Sequence, residues 1–310
     1  MVIETMYAEG QVDYLSSPAK QLLQRYEHAK IIKQQWNGIF EECYEYALPQ
    51  RESFFTETAG RKRTDRIFDE TAVVGVQEFA SRLQAGIVPN FARWADFVAG
   101  SEVPKENEKE VNLMLDEVTD YVFEILQNSN FSQEVHESFL DIALGTGVLL
   151  VEEGDAINPI RFKAIPLPHV VLTSGHDDRI DHTFRKRMIR MRELLVAYPM
   201  AELNEKMLVD LQKNPDKECE IIEVCYRNHY NTKEEEHHFC AIAKAYEHKV
   251  YEETYKGLGS NPYVIYRWSK CAGEVYGRGP LQLALPAIKT ANLVVELILE
   301  NAQMSISGIR

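Results

Sequence analysis

From Pro280 the chain reads "PLQLALPAIKTANLVVELILENA", a helix whose apolar surface is too wide for water, and this constrains the fold more than any other feature. Pro280 follows Gly-Arg-Gly and suits the first helical position. On a helical wheel Gln282, Lys289, Asn292, Glu296, Glu300 and Gln303 form one narrow polar band. Leu281, Leu283, Ile288, Val294, Val295, Leu297, Ile298 and Leu299 take the remaining arc, with Leu285 and Leu293 in or beside the band. A surface helix is apolar over a little more than a third of its circumference, and this one is apolar over roughly two thirds. Each large aliphatic is worth about 1.5–3 kcal/mol on burial, so wetting half of them costs on the order of ten kcal/mol. Such a face needs a cover. Either the helix threads its own domain, or identical helices pack side by side. The second arrangement suits a chain with nothing after the helix to wrap it, and in a closed ring the polar band would face a central space.

The rest of the chain is that of an ordinary globular protein. A length of 310 residues is a soft prior of about two domains. The opening "MVIETMYAEGQVDYL" shows no signal peptide. No uninterrupted apolar stretch reaches spanning length, because Pro286, Lys289, Asn292 and Glu296 break the nearest one. Five irregularly spaced cysteines fit a reducing compartment without a disulfide framework. The net charge of −14 argues against tight capture of nucleic acid, which calls for a basic face. It is compatible with DNA sliding past an acidic wall that repels it.

Periodicity predicts an α+β fold: N-terminal helices, a β-rich middle and one long terminal helix. Ser17-Pro18 reads as a helix start, with Leu22, Tyr26, Ala29, Ile32, Trp36, Ile39, Cys43 and Tyr44 as its stripe and Pro49 as its end. Gln50–Gly60 reads as a loop. A second helix is expected over Thr64–Val88, on Ile67, Phe68, Val74, Phe79, Leu83 and Ile87. "FARWADFVAG" is expected to be extended with aromatic anchors. Helices are expected near Glu106–Gln127 and Ser132–Leu144, and strands in "GTGVLLVEEGD", "IRFKAIPLPHVVLTSG" and "HTFRKRMIRM". A short helix in "RELLVAYP", a hairpin of Glu218–His229 with His237–Tyr246, and a strand "PYVIYRW" complete the middle. No internal repeat or low-complexity linker is visible.

Few chemical motifs survive inspection. Cys225, His229, His237, His238 and Cys240 cluster on the hairpin, but Cys-x3-His and His-His-x-Cys are not zinc spacings, and adjacent strand histidines point to opposite faces. The strand "FRKRMIRMR" brings Arg185, Lys186 and Arg187 together as a candidate phosphate or partner patch, with a half-exposed strand balancing an acidic chain as the plainer account. "GRKRTDR" at Gly60–Arg66 reads as a basic loop. Gly145-Thr-Gly147 precedes a strand, so it is a tight turn and not a nucleotide loop. There is no nucleophile elbow and no His-Glu-x-x-His. The pairs Glu41-Glu42, Glu152-Glu153 and Asp177-Asp178 lie in no acid/base motif. No enzyme chemistry, metal or cofactor is expected.

The succession "WNGIFEECYEYALPQR", "RIFDETAVVGVQEFASRLQAGIVP", "RWADF", "FLDIALGTGVLLVEEGD", "IPLPHVVLTSG", "TFRKRMIRM" and "VYGRGPLQLALPAIKTANLVVE" resembles, in order and spacing, the portal (head-to-tail connector) proteins of short-tailed bacteriophages. The resemblance implies a dodecameric homo-oligomeric ring at one capsid vertex of the virion, assembled in the bacterial host cytoplasm. Double-stranded DNA is packaged and ejected through such a ring without sequence specificity. The terminase large subunit, a tail adaptor and scaffolding or capsid proteins would dock to it, with no membrane involved. It implies an N-terminal arm over 1–16, a wing over 17–272 (helical 17–145, β-rich 146–272) and a first stem helix over 273–310. The clip beyond it would lie outside this chain. Leu281, Leu285, Ile288, Leu293, Val294, Leu297 and Ile298 would then form the stem interface, and Lys289, Glu296 and Glu300 would face the lumen or a neighbouring stem. Two other readings stand beside it: a soluble metal-dependent enzyme using the Cys/His hairpin, and an adaptor binding a partner helix on the Leu281–Leu299 face.

Overall fold

A computed structural model describes residues 18–55, 66–175, 177–229 and 234–308. The fold is α+β. The N-terminal arm, Ser17 and most of Gly60–Arg66 lie outside the described residues. The chain divides into two compact units, one of Met1–Gln35 with His169–Asn261, the other of Trp36–Pro168 with Pro262–Arg310. Helix α1 (Pro18–Ala47) contributes its first half to one and its second half to the other.

The first unit is built on a five-stranded antiparallel sheet in the order β3-β4-β5-β6-β7. Its strands are β3 (Val170–Ser174), β4 (Ile180–Arg190), β5 (Glu218–Arg227), β6 (Glu236–Ala243) and β7 (His248–Lys256). Ala19, Leu22, Leu23, Tyr26 and Ala29 of α1 recur at helical spacing and bury against Val171, Phe184, Ile222, Val224, Cys240 and Ile242. The opposite face carries two short helices, α5 (Met191–Ala197) and α6 (Glu205–Lys213). There Met191, Leu194, Tyr198 and Met207 pack with Ile189, Cys219, Ile221, Ala241, Ala243 and Val250. With both faces covered, β5 is buried continuously from Ile221 to Cys225 instead of alternating, Glu223 included. Asn204 caps α6 by accepting the Met207 amide at 2.9 Å.

The second unit holds the rest of α1, α2 (Thr71–Ile87), α3 (Glu108–Asn128), α4 (Phe131–Ile142) and the terminal helix α7 (Pro280–Ser307). A three-stranded antiparallel sheet has β1 (Thr146–Glu153) between β2 (Ile160–Ala164) and β8 (Tyr263–Arg267). α2 starts later than the predicted Thr64. At its centre Asp141 is buried beside Arg51 (3.5 Å) and accepts the Tyr44 hydroxyl at 2.8 Å and the Leu167 amide at 3.3 Å. Burial pushes the Asp141 carboxyl up, against the opposing pull of Arg51 and its donors. Trp36 and Phe40 pack on the buried ring of Tyr276. The predicted extended stretch has no regular structure; within it Trp94 packs on Phe123 and Phe131, while Phe91 is exposed.

The Gly145-Thr-Gly147 turn does more than reverse the chain. Together with the two residues before it, it receives the segment that leads into α7: Gly279 donates to the Leu144 carbonyl (3.0 Å), Leu281 to the Ala143 carbonyl (3.0 Å) and Gly277 to the Thr146 side-chain hydroxyl (2.8 Å). Gly145 sits at φ +133°, and a side chain there would collide with the Gly277 carbonyl. Gly145→Ala is therefore expected to lower the unfolding free energy by about 2–4 kcal/mol, read as a shifted midpoint in urea denaturation.

Candidate functional site

Helix α7 is held to its unit by its polar face. Gln282 is buried and donates to the Leu144 carbonyl at 2.5 Å. Lys289 pairs with Glu42 at 2.6 Å and lies over the Tyr46 ring. Asn292, 5% exposed, accepts the amides of Phe68 (2.7 Å) and Asp69 (3.1 Å) and donates to the Arg66 carbonyl (3.0 Å). Those three bonds explain the late start of α2, because amides committed to Asn292 are not free to begin a helix. The polar band thus turns inward over its first half.

The consequence is an outward apolar arc. Leu283, Leu293, Val294, Leu297, Ile298 and Leu299 are all exposed, Leu283 by 82% and Ile298 by 61%. Leu281 and Leu285, grouped with them by the sequence pattern, are buried within this chain at 5% each and take no part in the open surface. Ile288 is half-buried. Of the three charged residues expected to face a central space, Lys289 is engaged by Glu42, Glu296 is half-buried and Glu300 is exposed. Among the described residues α7 is also the one helix long and apolar enough to cross a membrane, by length and composition. Two of its interruptions, Lys289 and Asn292, bind it to its own unit.

A family model described as "Bacteriophage head to tail connecting protein" matches residues 19–309. The chain belongs to that family. It is also 23% identical over 181 residues to a probable portal protein of Bordetella phage BPP-1, a match covering 57% of this chain and 32% of the relative. The chain is thus similar to a portal protein over about a third of that relative's length.

The other predicted sites of this connector-family chain resolve differently. Arg185 is no surface cation: at 4% exposure it pairs with Glu223 at 3.1 Å, directly across from it in the β4–β5 register. Arg187 joins the same carboxylate at 2.6 Å, and the Tyr198 hydroxyl donates to it at 2.6 Å. The basic patch is therefore corrected to a buried ion network, with half-buried Lys186 on the opposite face. The alternation that placed Arg185 and Arg187 on one side is correct; the acid facing them was invisible without the register. Burial opposes the charge of Glu223, yet the two arginines with the Arg187 and Tyr198 hydrogen bonds hold its carboxyl below the usual glutamate range.

The Cys/His hairpin spreads its side chains among separate partners. His229 meets Asp181 (2.5 Å), His237 meets Ser260 (3.0 Å), and His238 meets Glu236 (3.0 Å) and Thr254 (3.1 Å). Burial pushes the Cys225 and Cys240 thiols up to about 12. No three His, Cys, Asp or Glu side chains among the described residues come together as a metal site.

Two outcomes are expected. Asn292→Ala leaves the Arg66 carbonyl and two amides without their partner, costing about 1–3 kcal/mol and speeding hydrogen exchange at Phe68 and Asp69. Because the folded pKa of Glu223 lies below its ordinary value, its contribution is complete above that value and disappears as pH falls through the folded one. Arg187→Met should raise the pH at which stability declines in acid, followed by denaturation midpoints across the carboxylate range.

Proposed function

We propose that this chain is the portal subunit of a bacteriophage: a closed, dodecameric ring at one capsid vertex through which double-stranded DNA enters and leaves. The observation that carries this reading is the outward apolar arc of α7, in a chain whose family joins head to tail. An arc from Leu283 to Leu299 is costly in water and is covered without new sequence when neighbouring copies pack against one another. The net charge of −14 supports transit over capture, because a wall of like charge keeps a duplex from adhering.

In this reading residues 17–272 form the wing and 273–310 the first stem helix. The ring is a structural part of the virion, without catalytic chemistry of its own. The terminase large subunit, a tail adaptor and scaffolding or capsid proteins dock on it. The likeness to the probable portal protein supports this assignment.

The test is particle mass by light scattering after size exclusion, with negative-stain images of the same peak. A ring with a central hole is expected. Leu297→Asp should dissociate it while shifting the unfolding free energy by no more than about 0.5 kcal/mol, since Leu297 is 48% exposed. A ring that survives this substitution would remove α7 from the interface. Flotation of the chain with lipid vesicles in place of a ring would give the helix to a bilayer and end the portal reading.

A further inference from the structure

The unit built on the five-stranded sheet contains a groove between α1 and the strands β3 and β4. It encloses about 480 Å³ and is lined by Gln21, Gln24, Arg25 and His28 of α1 with Thr173, His182 and Phe184 of β3 and β4. No carboxylate is among these lining residues, in a chain with 48 acidic and 34 basic residues. The groove lies where the sheet's covered face gives way to polar side chains. Val171, Phe184, Val224 and Cys240 form a cross-strand row inside the core under α1. Two residues along, the matching row is Thr173, His182, Tyr226 and His238.

The polar atoms at this edge are already oriented. Asp181 is 2.8 Å from His182 Nδ1 and 2.5 Å from His229 Nε2. Arg25 Nη1 is 3.3 Å from His182 Nε2. An arginine can only donate, so Nε2 of His182 accepts and Nδ1 carries the proton shared with Asp181. Near-parallel stacking on Phe184 and Tyr226 fixes the imidazole further, with interplanar angles of 17° for both. His182 in turn steadies Arg25, whose planar fork has further donors to offer. The Asp181 carboxylate is engaged by both His182 and His229.

We propose that this groove binds a phosphate group, held by the Arg25 guanidinium with the Gln24 amide, the Thr173 hydroxyl and the His28 ring. Guanidinium geometry favours a tetrahedral oxyanion that accepts two parallel hydrogen bonds. The source is either free inorganic phosphate or the backbone of DNA, and the experiment separates them.

Inorganic phosphate is titrated into the full chain at constant ionic strength, following the histidine ring signals by NMR. Saturable shifts at His28 and His182 are expected, with Arg25→Gln weakening affinity about tenfold or more. Arg25 is exposed, so the variant should keep the wild-type melting temperature, which is measured alongside. His182→Phe, which retains a stacked ring, should also weaken binding by releasing Arg25. Absence of saturation, equal affinity in Arg25→Gln, or acetate binding as tightly as phosphate would overturn the proposal. A short DNA duplex that displaces phosphate from this site identifies the nucleic-acid backbone as the source; a duplex that leaves it in place identifies the free anion.

Discussion

The attachment of α7 through polar groups decides which face of that helix is left exposed. Gln282 and Asn292 bond to backbone atoms and Lys289 to a carboxylate, so the inward face is fixed by direction-dependent contacts. Hydrophobic burial has no such directionality and would have turned the leucines inward. With the polar face committed inward, Leu283, Leu293, Leu297 and Ile298 lie outside, while Leu281 and Leu285 stay buried. A helix buried in the ordinary way would have hidden the outer side chains too; this one leaves them in water.

The sheet unit follows a different logic. Helices cover both of its faces, so charge within it must find partners internally, and Arg185 and Arg187 meet at the Glu223 carboxylate, which also accepts the Tyr198 hydroxyl. Removing one partner of such a group leaves an uncompensated buried charge. This arrangement explains why a strand as basic as β4 sits inside an acidic protein without offering a basic surface.

Much of this was legible in the sequence. The α+β order, the extent of α7, and most helices and strands follow from periodicity, because each buries a regular stripe. Two elements were not foreseen. α6 is short, though Asn204 followed by Glu205 is a helix-start signal. β7 carries Glu252, Glu253 and flanking lysines on an edge strand, which dilutes its alternation of Val250 and tyrosines. In α1 the stripe slips at Ile32, which is 40% exposed while Lys33 is buried. At the site itself, the wheel separated polar from apolar correctly but could not say which side faces the protein. Asn292 looks like a solvent residue until the Arg66–Asp69 backbone is placed beside it.

The close approach of Gly145 to Gly277 has a kinetic meaning. The Gln282 side chain and the Leu144 carbonyl are 138 residues apart in sequence, and contacts over such separations form late because the intervening loop must first be closed. The start of α7 can settle only after the α4–β1 junction exists. The outward arc is then presented in a fixed orientation only by a chain that has already folded, so a partner that used this surface would meet it only on the folded chain.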